Sequence, residues 1–222
     1  MKNLLAIIST ILLCATPVLA QDDDTDIADT AKYCLSIEGQ ASFSKGKTPL
    51  WLNANKYGLS SLKQYNGYLR ASLIRRMHTP EDEYPKKLDY GFGVYLAVGY
   101  GNQSVFVIQQ AYLEGRWLKG VLTIGAKEYP LELKSNELSS GSQTLGKNAR
   151  PIPQVRLELG EFWAIPYTKG MVSVKAHIAY GLQTDQRWQR EFTNMQSKYS
   201  ENVLFHSKAG YLRFGNEFSR VH

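Results

Sequence analysis

The chain has 222 residues, a net charge of +6 and no apolar run long enough to cross a bilayer as a helix, which needs about 18 residues or more. Its two cysteines, Cys14 and Cys34, form no C-x-x-C pair, which excludes a metal or redox motif of that type. The moderate hydrophobic content does not exclude a membrane protein, because a strand of a membrane barrel carries apolar residues on one face only.

The N-terminus has the pattern of a secretory signal at residues 1–20. Lys2 supplies the positive charge, residues 4–13 are mainly apolar, and Ala20 offers a small residue at the cleavage site. We expect cleavage there to remove Cys14 and leave Cys34 as a lone thiol. Residues 21–31 are acidic and without periodicity, which predicts a mobile tail.

From residue 32 onward, apolar and polar residues alternate with the period of two that is typical of β-strands. The alternation predicts about eight strands, at 32–43, 67–76, 88–100, 105–117, 121–127, 155–162, 171–183 and 202–216. Long polar connections separate several of them, and no helical period or internal repeat is visible.

The strand at 88–100 has the clearest pattern. Its even-numbered positions from Tyr90 to Tyr100 form an unbroken apolar face with aromatic ends, whereas the opposite face carries small residues and Tyr95. A strand of a soluble sandwich is the alternative, but its outer face normally carries charge. An apolar face with aromatic ends is instead typical of a strand that crosses a membrane in a closed barrel.

We therefore predict an all-β fold, a transmembrane antiparallel β-barrel of the outer-membrane type spanning residues 32–216. About eight strands is the minimum for such barrels, and the chain ends in His222 rather than in an aromatic residue. The expectation is a partial barrel whose residues 217–222 form a truncated C-terminal end.

The same alternation predicts which side chains avoid lipid. Turning the 171–183 strand over would place Lys175 and His177 in lipid, at a cost of about 2–4 kcal/mol for the lysine. The polar face must therefore line an enclosed, net basic interior. The candidate lining or polysaccharide-binding residues are Arg116, Lys127, Arg150, Arg156, Lys175, His177, His206 and Lys208.

The alternation also predicts the faces of two further strands. At 105–117, Val107, Leu113 and Trp117 share the predicted apolar face, interrupted by Gln109. At 202–216, His206 and Lys208 are assigned to the polar face, opposite Phe205, Ala209 and Tyr211.

Several segments are similar to the capsule-assembly proteins of the Wzi family, in the form found in Bacteroides-like bacteria. The run Asn148-Ala-Arg-Pro-Ile-Pro-Gln-Val155 is the most distinctive. The other matching segments are 48–55, 57–61, 66–71, 124–128, 138–141, 176–181 and 206–208.

The resemblance implies a large outer-membrane β-barrel that binds capsular polysaccharide at the cell surface and is lectin-like rather than catalytic. The family barrel has more strands than this chain supplies, so the chain resembles its N-terminal half. The partners implied are capsular polysaccharide and outer-membrane lipid, with no cofactor. We expect no nucleic-acid partner, and no carboxylate or histidine cluster in the sequence has the spacing of a metal site. The family's sugar-contacting loops have no residue-by-residue counterpart in this chain.

Two alternatives remain open. The first is a structural or porin-like barrel, whose interior would be stiffened by ion pairs of Arg116 or Arg156 with Glu114 or Glu158. A lipid-modifying enzyme would need a Ser nucleophile within hydrogen-bond reach of a His base. His206 and Ser207 point to opposite faces of a strand and cannot pair, so only a cross-strand pair would satisfy this requirement.

Overall fold

The structure, a computed structural model, describes residues 7–14, 32–46, 55–77, 87–102, 104–129, 146–183 and 202–215. The predicted tail at 21–31 and the predicted end at 217–222 lie outside this part of the chain. The ten strands are β1 (Ile7–Cys14), β2 (Tyr33–Phe43), β3 (Tyr65–Arg75), β4 (Leu88–Tyr100), β5 (Phe106–Trp117), β6 (Gly120–Ala126), β7 (Pro153–Leu159), β8 (Trp163–Ala164), β9 (Val172–Gln183) and β10 (Val203–Phe214).

All ten strands belong to one sheet, in the order β1-β2-β3-β4-β5-β6-β7-β9-β10, with β8 paired to β9 beside β7. The registers that are resolved are antiparallel; Leu73 of β3, for example, lies opposite Val94 of β4. The prediction of an all-β antiparallel fold is confirmed, and each of the eight predicted strands has a counterpart. Within the described residues the two ends of the sheet do not pair, so the sheet is not closed.

Two elements differ from the sequence prediction. The apolar part of the predicted signal forms β1, which pairs antiparallel with β2 from Ile7 opposite Phe43 to Cys14 opposite Ser36. The strand predicted at 155–162 ends at Leu159 and is followed by the two-residue β8. None of the described residues forms a helix with the length and hydropathy needed to span a bilayer.

The chain divides into two compact units. The first comprises Met1–Arg76, Phe92–Ala111 and Ala126–Pro151, and the second comprises Met77–Gly91, Tyr112–Gly125 and Ile152–His222. The contacts discussed below are made within one unit or the other.

The strands expose their apolar face and bury their polar face, the reverse of a soluble sheet. On β3, Leu69 is 54% exposed whereas Ser72 is 3% exposed. On β4, Val98 is 50% exposed and Ala97 on the opposite face is 1% exposed. No second sheet or helix layer covers these apolar faces within the described residues. The burial pattern of β4 confirms the two faces predicted for it. β2, β3, β6 and β7 show the same kind of alternation.

Two predicted faces are wrong. In β5 both Gln109 and Gln110 are buried, so the alternation changes phase between them, which is the effect of a β-bulge. Val107, predicted to face outward with Leu113, is consequently buried while Leu113 is exposed.

The second correction concerns β10. Directly opposed residues of antiparallel strands share a face, and His206 lies opposite Tyr180 while Lys208 lies opposite Ile178. The His206 ring stacks on Tyr180 with ring centroids 4.6 Å apart. His206 and Lys208 therefore lie on the exposed apolar face of the strand and do not line the polar face. Both faces of β10 mix polar and apolar residues, so its pairing with β9 decides the outcome.

In the first unit, the segment at residues 55–64 packs against the polar face. Leu59 is 4% exposed and forms a buried cluster with Tyr68, Ala97 and Val107. The small side chain of Ala97 on β4 leaves room for this segment. The segment covers the polar face at this place, which explains why that face is buried. We call residues 55–64 the inner segment.

Candidate functional site

The polar face of the first unit is organised around Glu38 of β2. The Arg70 guanidinium forms an ion pair with the Glu38 carboxylate, and the Tyr68 hydroxyl donates a hydrogen bond of 2.5 Å to the same group. These side chains meet because Glu38 and Arg70 lie directly opposite each other in the β2–β3 register. These two contacts, with Arg70 and Tyr68, fix the position of the Glu38 carboxylate.

Gln109 joins this cluster to the inner segment. Its side-chain oxygen accepts a hydrogen bond of 2.9 Å from Arg70, and its side-chain nitrogen donates to the carbonyls of Lys56 at 3.1 Å and Tyr57 at 3.3 Å. Gln109 is 1% exposed, so these bonds satisfy an amide that has lost contact with water. The change of phase in β5 makes the arrangement possible, because it places Gln109 and Gln110 on the same side.

Lys56 brings a cation of the inner segment onto this face. Its ammonium donates a hydrogen bond of 2.7 Å to the side-chain oxygen of Gln40 and lies 6.0 Å from the centroid of the Tyr68 ring. Burial lowers the pKa of the Lys56 ammonium below its ordinary value; Glu38 opposes this effect and Arg70 reinforces it. The charge is therefore partly desolvated but compensated by neighbours.

Tyr57 ties the inner segment to residues that follow β6. Its hydroxyl is hydrogen bonded to the Glu128 side chain, and burial, followed by this bond, raises the pKa of the phenol. The backbone nitrogen of Glu128 in turn donates 2.8 Å to the side-chain oxygen of Gln110. The hydroxyl therefore acts as a donor that fixes the segment rather than as a titrating group near neutral pH.

The distinctive run that begins at Asn148 packs on the same segment. The backbone nitrogens of Tyr57 and Gly58 donate to the carbonyls of Lys147 at 2.9 Å and Asn148 at 2.8 Å. Gly58 has a positive φ of 91°, and a Cβ there would collide with the Arg150 side chain. Burial lowers the pKa of the half-buried Arg150 guanidinium, so this predicted candidate contributes packing as well as charge.

In the second unit, Arg156 and Glu158 lie two residues apart on the polar face of β7. The Arg156 Nε lies 2.6 Å from a Glu158 carboxylate oxygen, and both side chains are largely buried. Such an ion pair is what the alternative of a structural or porin-like barrel predicts for these charges.

His177 and Ser207 form a cross-strand pair in the second unit. The His177 Nε2 lies 2.9 Å from the Ser207 hydroxyl oxygen. His177 lies opposite Ala209, two residues along β10 from Ser207, so the contact is diagonal across the β9–β10 pair.

The remaining predicted candidates lie at separate places. Arg116 is half-buried on β5 and Lys175 is half-buried on the polar face of β9. Lys127 follows β6, with its ammonium 5.9 Å from the centroid of the Tyr129 ring. The predicted set is thus divided between the two units rather than gathered in one site, and His206 and Lys208 do not belong to the polar face at all.

Sequence reasoning assigned no role to two of the residues that organise these clusters, Lys56 and Gln109. It considered Ser207 only beside His206 and left its cross-strand partner open. Gln109 was visible only as a polar interruption in an apparently apolar face, and Lys56 lies in a polar connection with no period. Among the described residues, no group of three or more His, Cys, Asp or Glu side chains could hold a metal ion.

No protein-family model matches this chain, no curated protein matches it, and no solved structure matches its fold. The similarity to the Wzi family therefore stays a prediction based on the segments quoted above.

Proposed function

We propose that the chain is an outer-membrane β-barrel protein of capsule assembly, exported by its N-terminal signal, that binds capsular polysaccharide non-covalently and helps attach it to the bacterial surface. The observation that carries the proposal is the exposed apolar face of the strands opposite a buried polar face. A chain folded in water would leave that face as an aggregation-prone surface. Lipid gives the same face a favourable environment.

The dimensions of β4 support a membrane location. Its thirteen residues, Leu88–Tyr100, span about 40 Å at roughly 3.3 Å per residue. A tilt of about 40° reduces this to about 30 Å, the thickness of the hydrocarbon core. Tyr90 and Tyr100 stand near the two ends of the exposed face, where tyrosines of membrane barrels meet the headgroups.

Binding of an acidic polysaccharide is supported by charge and by the family resemblance. The net charge of +6 favours association with a polyanion. Arg150 and Lys175 are half-buried cations in the two units, and the run that contains Arg150 is the most distinctive segment shared with the Wzi family. Nothing in this mode of binding requires a cofactor.

The proposal is tested by folding the full chain into phosphatidylcholine vesicles and measuring the co-flotation of alginate, a polyuronate, with dextran as the neutral control. We expect alginate to float with the protein vesicles but not with empty vesicles, and the binding to weaken at about 0.5 M salt, where charges are screened beyond a few ångströms. The proposal is contradicted if the protein vesicles retain alginate and dextran equally, or if they retain neither polysaccharide.

The second candidate function is a lipid-modifying enzyme, favoured by the contact of 2.9 Å between His177 and Ser207. A serine within hydrogen-bond reach of a histidine is the arrangement of a nucleophile and its base. This candidate predicts that the folded protein removes or transfers a lipid acyl chain and that Ser207→Ala abolishes the reaction. Mass spectrometry of lipids from cells that express the unchanged chain or the Ser207→Ala variant separates the two functions. Only the enzyme predicts a change in lipid acyl chains that depends on Ser207.

A further inference from the structure

A cavity of about 540 Å³ lies in the first unit, where β2 and β4 end and β3 begins. It is outside the charged cluster described above and contains none of the candidate lining or polysaccharide-binding residues predicted from the sequence. Its principal lining residues are Leu62, Lys63, Gln64, Tyr65, Tyr100 and Gly101. The volume is within the range of about 300–1,000 Å³ that is typical of small-ligand sites.

The backbone around the cavity is fixed by its own hydrogen bonds. The Ser44 nitrogen donates 2.9 Å to the Gln64 carbonyl, and the Ser61 hydroxyl donates 2.6 Å to the Gly101 carbonyl. Gly101 has a φ of 76°, and a Cβ there would collide with the Tyr65 carbonyl. These contacts hold the three connecting segments together, so the cavity exists before any ligand arrives.

The two tyrosines give the cavity aromatic surface that faces outward. Tyr65 is 57% exposed and Tyr100 is 76% exposed, and the Tyr65 ring is held edge-on against Phe43 with centroids 6.1 Å apart. An aromatic ring with a hydroxyl presents an apolar face and a polar tip. Sugar rings have the complementary character, with apolar C–H faces bounded by hydroxyl groups.

The polar residues of the lining favour an anionic ligand. Gln64 and Lys63 both belong to the lining. The side chain of the first is an amide that can donate and accept hydrogen bonds, and that of the second carries a positive charge. None of the described residues that line the cavity carries a carboxylate, so an anion meets no opposing charge from the lining itself.

We propose that this cavity holds a short stretch of an acidic polysaccharide, with sugar faces against Tyr65 and Tyr100 and a sugar carboxylate near Lys63. The inference rests on the proposed function and names the site at which that function is exercised. Without a ligand, the only role left for the two tyrosines is to meet the lipid headgroups. Another apolar side chain at the same depth could fill part of that role.

The test uses the full chain in phosphatidylcholine vesicles and a titration with fluorescently labelled alginate oligosaccharides. The cavity variants are Tyr100→Leu and Lys63→Gln. The matched controls are Tyr90→Leu, near the other end of the exposed face of β4, and Lys119→Gln, at the exposed β5–β6 turn. Equal heat-modifiable gel mobility of all five proteins shows that they are folded.

We expect Tyr100→Leu to weaken alginate binding about fivefold or more through loss of the ring contact. Lys63→Gln should weaken it about threefold at low salt and less at high salt. Both controls should bind as the unchanged chain does.

Three results overturn the inference in different ways. If the unchanged chain binds alginate and the cavity variants bind equally well, the polysaccharide site lies elsewhere and the proposed function stands. If the unchanged chain does not bind alginate, the proposed function fails as well. If the cavity variants instead lose a preference for vesicles that contain phosphatidylglycerol while alginate binding is unchanged, the cavity is a lipid headgroup site.

Discussion

Replacing Val94 with lysine tests whether the exposed apolar face meets lipid or water. Val94 lies at the centre of β4, with its side chain on the exposed face opposite Leu73 of β3. The matched control is Leu88→Lys, at the end of the same strand and on the same face. Each change places one lysine on the exposed apolar face of β4, and the main difference between the two positions is their depth.

The expected magnitude follows from the position along the strand. Leu88 and Val94 are about 20 Å apart along β4 at roughly 3.3 Å per residue, or about 15 Å in depth at a tilt of 40°. A lysine at the bilayer midplane costs about 2–4 kcal/mol, and one near the interface about 0–1 kcal/mol. The folding equilibrium should therefore fall about 30- to 700-fold for Val94→Lys and by fivefold or less for Leu88→Lys.

The measurement is urea unfolding of each protein in phosphatidylcholine vesicles, followed by tryptophan fluorescence and by heat-modifiable mobility on gels. In water both substitutions would change an exposed residue and would alter stability by about 0.5 kcal/mol or less. Equal losses for the two variants would refute the assignment of the apolar face to lipid, because depth would then have no effect.

The remaining predictions concern the polar face of the first unit. Arg70→Met should lower the free energy of unfolding by about 1–3 kcal/mol, because it leaves the largely buried Glu38 carboxylate without its cation. The double variant Arg70→Met/Glu38→Gln should lose less free energy of unfolding than the sum of the losses of the two single variants. If the losses measured in urea titrations are additive, the pair is not coupled. Gly58→Ala should cost about 1–2 kcal/mol, because it combines an unfavourable positive φ with a collision against the Arg150 side chain. Adding Arg150→Ala should recover the part due to the collision, and no recovery in the same unfolding assay would leave backbone strain as the whole effect.

Most of the strand positions and faces could be predicted from the sequence. A period of two is a local property, and where one side is strongly apolar, as in β4, it determines which side chains share a face. This is why Arg156 could be assigned to the polar face without any knowledge of what its side chain contacts.

Only the tertiary structure decided what lies against the polar face. The contacts of Gln109 with Lys56 and Tyr57 join residues about 50 positions apart in the chain, and no local pattern encodes such a distance. The phase change in β5 accompanies those contacts and is not visible in the local alternation, which explains why Val107 was assigned to the wrong side.

The orientation of β10 and the position of the cavity also depend on long-range contacts and not on local patterning. Both faces of β10 mix polar and apolar residues, so hydrophobic patterning leaves its orientation undetermined, and pairing with β9 sends His206 outward and brings Ser207 to His177. Tyr65 and Tyr100 belong to different strands, and the turn at Gly101 and the register of β3 with β4 bring them to one cavity. Local patterning thus determined which strands form and, where one side is clearly apolar, which side chains share a face. The partners of each buried polar group depend on registers and connections that are set by long-range contacts, and these became visible only in the folded chain.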